Sequence, residues 1–354
     1  MLLTLGPVLL PEYRNPDAGR VDLVSAGLSF IAMLSAIYGI KEMPKHGPEP
    51  VSVMAVVAGV VVGYVFVRRQ RTLTHPLLDL TMFRHRAFSA SLTILLLTMM
   101  FLMGNLFLIA QFLQSVLALS PLETGLWLLP PVLCGMVAAL AATGIVRRVR
   151  PAYVFGAGMT VAAGGFVILW GASADSGPGP VVVAAILMFV GITPVAALGA
   201  DMIVGSAPPE QAGPAAALSE TSNEFGGALG IALVGSLATA VFRGSMADAY
   251  PKEVPAGAED TLAGALEVAA GLSGEAGAAL AAAARAAFAD GLQISAIVGA
   301  PLMLVLAVGA ALMLRQVTPA AHEPGDEPTG AEPAEPAEAA GPSQDLRYEP
   351  AKGE

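Results

Sequence analysis

Gln211 to Ser236 read QAGPAAALSETSNEFGGALGIALVGS, an apolar run long enough for a membrane helix that nonetheless carries two carboxylates. An ionised side chain near the bilayer centre costs about 3 kcal/mol or more, so spans that face lipid exclude acids. Glu220 and Glu224 are four residues apart, which sets both on one helical face with Asn223 beside them. Counted from Ala212, a rise of about 1.5 Å per residue puts them roughly 12 and 18 Å into a hydrocarbon layer about 30 Å thick. An ionisable group in that middle third has one of two roles. It is a proton or ion relay or a counter-charge to substrate, or it is neutralised by a basic neighbour or a proton and serves packing alone. No Lys or Arg lies inside any other expected span.

The remainder of the 354-residue chain agrees with a membrane setting: 55% of residues are hydrophobic and 13% charged, with a mean hydropathy of +0.69. A soluble domain of this length is less apolar. The fold class expected is therefore all-α, a polytopic membrane helix bundle. The formal charge of −10 is a property of one end, since residues 316 to 354 hold nine of the 28 acids against two basic residues. Nucleic-acid binding has no support, because the arginines gather at span ends rather than in a patch with interleaved aromatics. The single Cys134 gives no disulfide or thiol metal site. The four histidines are scattered without ligand spacing. No nucleophile elbow or metal motif marks an enzyme, and no cofactor is called for; the proton gradient is the expected energy source.

In chain order, residues 1–20 are expected to be the end of a truncated helix and a cytoplasmic linker, and 21–67 a pair of transmembrane helices. The connector 68–86 carries Arg68, Arg69, Arg71, Arg84 and Arg86, which fixes it in the cytoplasm. Five spans follow within 87–242. Residues 243–287 form an Ala-rich extracytoplasmic loop whose segments suit short amphipathic helices lying on the membrane face. A last span follows at 288–315. The acidic tail 316–354, rich in Pro, Glu and Ala, is expected to be disordered. In this threading the cytoplasmic loops and ends hold 11 of the 18 basic residues, which favours the orientation.

The connector HPLLDLTMFRHRAF (75–88), the segment QFLQSVLALSPLETGLWLLP (111–130) and GPAAALSETSNEFGGALGIALVGS (213–236) resemble the major facilitator superfamily. More narrowly, they are similar to its fourteen-span drug:proton antiporters, the EmrB/QacA group. The resemblance implies two six-helix halves around a cavity, with 21–67 as the pair inserted between them and the spans from Ala87 onward as the carboxy-terminal half. It implies that the amino-terminal half is missing, to be supplied by a longer product or a second polypeptide. The alternative is a non-transporting membrane fragment or partner subunit, inactive alone. Group members that export dications can carry an acid where this chain reads Cys134-Gly135-Met136, which weighs against dications.

The resemblance also implies that the first, second, fourth and fifth helices of this half line the cavity, which sets Glu220, Asn223 and Glu224 on a substrate-facing wall. Burial favours a neutral carboxylate, so either acid is a candidate to take up a proton and release it when a lipophilic or cationic small molecule arrives. Asn105, Gln111 and Gln114 are candidates for cavity hydrogen bonding, or alternatively for polar contacts between helices. Pro130, Pro131 and Thr193-Pro194 are expected to kink their spans. Gly226, Gly227 and Gly230 are expected to serve close helix packing. Met99, Met100 and Met103 read as core, or as an adaptable substrate surface. Glu123 and Asp175 are expected in outside loops, and Asp201 either pairs with an arginine such as Arg147 or is hydrated.

Overall fold

The computed structural model describes residues 22–46, 49–73, 76–208, 211–247, 261–272 and 274–314. The expectations for residues 1–20, for the tail 316–354 and for the polar middle of the outer loop lie outside the described residues. Nine α-helices and no strand occur among the described residues: α1 (Leu23–His46), α2 (Pro50–Gln70), α3 (Arg86–Gln111), α4 (Pro121–Ile145), α5 (Pro151–Trp170), α6 (Pro178–Gly205), α7 (Ala212–Met246), α8 (Leu262–Gly271) and α9 (Glu275–Met313). Eight are long and apolar enough to cross a bilayer. The chain is a multi-pass protein of the cell membrane.

Sequence chemistry sets the helix ends. Asp22 caps α1, its Oδ1 accepting the amides of Val24 and Ser25 at 3.1 and 3.2 Å. Prolines occupy the first turns of α2, α4, α5 and α6, where a missing N–H leaves nothing unpaired. At α4, Ser120 and Glu123 form a reciprocal capping box, with Glu123 Oε2 accepting the Ser120 amide at 2.8 Å. Glu123, expected in a loop, is therefore a structural residue of the helix start. Helix α4 runs unbroken through Pro130 and Pro131, and α6 through Pro194.

Helices α3 and α6 form the middle of the bundle. Helix α3 packs on α7, α6 and α9; α6 packs on α5, α4, α3 and α7; α5 closes against α9. Fully buried Phe155, Phe166, Met159, Met188 and Ile192 fill the interior, and Phe101 meets Phe166 edge to face at 6.1 Å. Met99 is buried, and Met100 and Met103 pack against the same core. By contrast α4 packs chiefly on α6, and the α1–α2 hairpin touches the bundle through α1 and α7. In the most apolar 18-residue stretch of each helix, 61% of residues are buried in α6, against 11% in α1 and in α2.

The outer loop differs from expectation. Residues from Glu275 continue without a break into the last span, making α9 a single helix of 39 residues, about 58 Å long at 1.5 Å per residue. The boundary expected at 287/288 does not exist, and the segment EAGAALAAAARAAFAD is part of this helix rather than a piece lying on the membrane. The cause is propensity: sixteen residues dominated by Ala contain nothing to stop a helix. Helix α8 does carry an apolar stripe, but Leu262, Ala265 and Ala269 bury it against α9. The pair approaches closely enough at Gly277 that an added methyl would sit 2.8 Å from the Leu272 carbonyl oxygen.

Candidate functional site

Helix α7 has two faces in its inner half. Ala215, Ser219, Ser222, Gly226, Gly227 and Gly230 are buried, while Glu220, Thr221 and Glu224 are exposed on the other side. The glycines bring α7 against α3: a methyl at Gly226 would lie 2.6 Å from the Leu96 carbonyl oxygen, and one at Gly230 would collide with the carbonyl of Met100. Such contacts admit small residues only, and they fix which side of α7 turns outward. Among the described residues neither Glu220 nor Glu224 has a basic partner. Asn223 is half-buried between the two faces, and its Oδ1 is enclosed without a hydrogen-bond donor.

The other candidates lie elsewhere. Asn105 is fully buried where α3 meets α9; its amide donates to the Phe101 carbonyl at 3.0 Å, and its Oδ1 accepts from the Ser295 hydroxyl at 2.7 Å. Of the two roles open to it, the geometry is that of a contact between helices rather than of cavity lining. Gln111, half-buried at the outer end of α3, lines two cavities of about 320 and 430 Å³, and Gln114 lines the second of them. The five candidates thus fall in three places: Glu220, Asn223 and Glu224 together on α7, Asn105 in the core, and Gln111 at the outer rim. Asp201 is exposed and makes no ion pair with Arg147.

The inner face holds a network that binds the hairpin and the connector to the start of α7. Arg69 closes on Asp22, Nη2 to Oδ2 at 3.1 Å, and the Ser25 hydroxyl donates to the same carboxylate at 2.6 Å. The Ser25 hydroxyl, together with the Ser25 amide and the Arg69 guanidinium, holds Asp22 below the usual aspartate range. Buried Gln70 donates to Ser25 Oγ at 2.8 Å and accepts the Leu78 amide at 3.1 Å. Asp79 accepts the Thr81 amide at 2.8 Å and the Gln211 amide at 2.9 Å. Those bonds, the Thr81 amide first, also lower its pKa.

The order of spans, the basic connector and the acid-bearing α7 are matched by a known family. The family model for the Major Facilitator Superfamily matches residues 21–231. The chain belongs to this superfamily. Over 312 residues, 87% of this chain and 61% of the relative, it is 35% identical to the multidrug efflux pump LfrA of Mycolicibacterium smegmatis. It is 30% identical over 343 residues to the tetracenomycin C resistance and export protein of Streptomyces glaucescens, covering 93% of this chain and 63% of that protein. The methyl viologen resistance protein SmvA of Salmonella typhimurium is 30% identical over 319 residues, with 87% of this chain and 63% of that protein covered. The chain spans less than two thirds of the length of these curated relatives.

For this major facilitator superfamily chain, sequence reasoning missed the partners more than the residues. Ser295 was readable as a lone hydroxyl in an apolar run, but nothing local ties it to Asn105, 190 positions away. Thr193 donates to the Gly135 carbonyl at 2.7 Å and so joins α6 to α4; only the adjacent proline had drawn attention to it. Phe107, Phe242 and Phe288, which wall the outer cavity, carry no sequence signal beyond their apolarity.

Proposed function

We propose that this superfamily chain belongs to a proton-coupled exporter of lipophilic or cationic small molecules of the fourteen-span group. Either Glu220 or Glu224 is the group that exchanges a proton for cargo. The carrying observation is the pair of exposed acids on α7, neither with a basic partner among the described residues. Each would cost about 3 kcal/mol against hydrocarbon, so their face is suited to water-lined space or to a further protein surface. The names of the relatives, an efflux pump and two resistance proteins, support export as the direction. The α1–α2 hairpin beside the six longer-packed spans supports the fourteen-span assignment. Bilayer and small-molecule substrate are the partners this reading requires.

Inverted membrane vesicles carrying the exporter that contains this chain, energised by a pH gradient, test the proposal. Gradient-dependent uptake of ethidium or tetracenomycin C is expected, with loss in Glu220→Gln or Glu224→Gln. Uptake that survives both substitutions removes the acids from the coupling step. No gradient-dependent uptake by the unaltered exporter that contains this chain removes the export reading itself.

A further inference from the structure

Between the outer ends of α3 and α7 and the α8–α9 pair lies the cavity of about 320 Å³. Phe107, Phe242 and Phe288 form its aromatic walls, and Leu108 and Leu262 add aliphatic surface. Among the described residues no Asp, Glu, Lys or Arg lines it. Its size and apolar, aromatic lining fall in the range of small-molecule sites, which hold about 300 to 1,000 Å³.

Three polar side chains reach it: Gln111, Thr239 and Thr261. The Thr239 hydroxyl donates to the Gly235 carbonyl at 2.9 Å, and Thr261 Oγ1 accepts the Gly264 amide as the cap of α8. Gln111 has no hydrogen-bond partner among the described residues. Gln111 lines both this cavity and the adjoining 430 Å³ space. The two N–H donors and the carbonyl acceptor of the Gln111 carboxamide are therefore available to an occupant of a lining that is otherwise largely apolar among the described residues.

The position of the cavity toward the outer ends of α3 and α7 favours a compact compound over an acyl chain as occupant. Thr239 lies 27 residues beyond Ala212 on α7, about 40 Å along the helix, whereas the hydrocarbon layer is about 30 Å thick. The cavity is also about 22 Å farther out than Glu224 on the same helix. We propose that it is a second small-molecule site, separate from the α7 carboxylates, that takes an uncharged aromatic compound and orients it through the Gln111 amide.

The test reads binding without transport, so it stands or falls independently of the export reading. The chain in lipid nanodiscs is photolabelled with a neutral benzyl alcohol bearing a trifluoromethyl diazirine. Saturable labelling is expected in peptides holding Phe107–Gln111 and Thr261–Ala263. Gln111→Leu removes the orienting bond and should weaken labelling about fivefold, the equivalent of one hydrogen bond near 1 kcal/mol. Gly235→Leu should abolish it, because a Cβ there meets only the Phe107 ring at 3.9 Å and its side chain grows into the chamber. If Gly235→Leu does not fold, Gln111→Leu decides alone. Labelling that never saturates overturns the proposal, as does labelling equally strong in the folded variants. Equal labelling of the same peptides by a diazirine-tagged phospholipid acyl chain would also overturn it, since the occupant would then be lipid.

Discussion

The Ser295 hydroxyl donates to Asn105 Oδ1 at 2.7 Å across the α3–α9 interface, with both residues fully buried. Ser295→Ala leaves that oxygen without its interhelix donor, and we expect a loss of about 1 kcal/mol in stability. Asn105→Ala should cost a similar amount, and the double substitution less than the sum of the two, because both remove one bond. Thermal unfolding of the four proteins in one detergent reads the cycle; strict additivity would show that the bond contributes nothing.

Docking of the α1–α2 hairpin should depend on acid pH and not on alkaline pH. Asp22 is held below its ordinary value near 3.8, so its contribution is present at neutral pH. It is lost only as the pH falls below the usual aspartate range. Protection from hydrogen exchange at the inner end of α1, taken relative to the intrinsic rate at each pH, should therefore be constant from pH 7 to about pH 5 and fall at lower pH. Asp22→Asn should show the lowered protection already at neutral pH; protection equal to the parent's would discount the Arg69 contact.

Helix α7 contains two glycines of opposite character. A methyl at Gly230 collides with the Met100 carbonyl, while one at Gly244 meets nothing within 4 Å. We expect Gly230→Ala to force α3 and α7 apart and destabilise by about 1–3 kcal/mol, and Gly244→Ala to be neutral or mildly stabilising. Melting temperatures of the two variants test this, and similar values for both would mean that the α3–α7 approach is looser than the structure has it.

Ala118 adopts φ 55° just after the π-helical turn Phe112–Val116 that closes α3. The Leu119 amide reaches back to the Leu113 carbonyl at 3.0 Å there, an arrangement that ends helices through a left-handed residue. For an L-residue that conformation costs about 1 kcal/mol, so Ala118→Gly should raise stability by about 0.5–1 kcal/mol in chemical denaturation. A decrease would indicate that the Ala118 methyl has a packing role that its exposure does not suggest.

Much of the architecture could be read from residue order alone, because hydrocarbon imposes long apolar runs and arginines mark their cytoplasmic ends. The eight spans and the hairpin were legible on that basis. The capping box at Ser120-Pro-Leu-Glu123 is a correction to the sequence reading, which places Glu123 in an outside loop although the spacing is that of a helix start. The extent of α9 was not legible, since an Ala-rich segment is compatible with a separate helix or with the continuation of its neighbour, and only packing against α8 and α5 chooses.

The acids on α7 divide along the same line. That Glu220 and Glu224 share one face follows from their four-residue spacing and the helical period, and the expectation that this face lies deep in the membrane rests on the length of the run. Which way the face turns depends on the close contact of Gly226 and Gly230 with α3. Local sequence set the chemistry and its expected depth. The fate of Asn105, Gln111 and the hairpin depended on partners tens to nearly two hundred residues away, and burial and pairing exist only once those segments have packed.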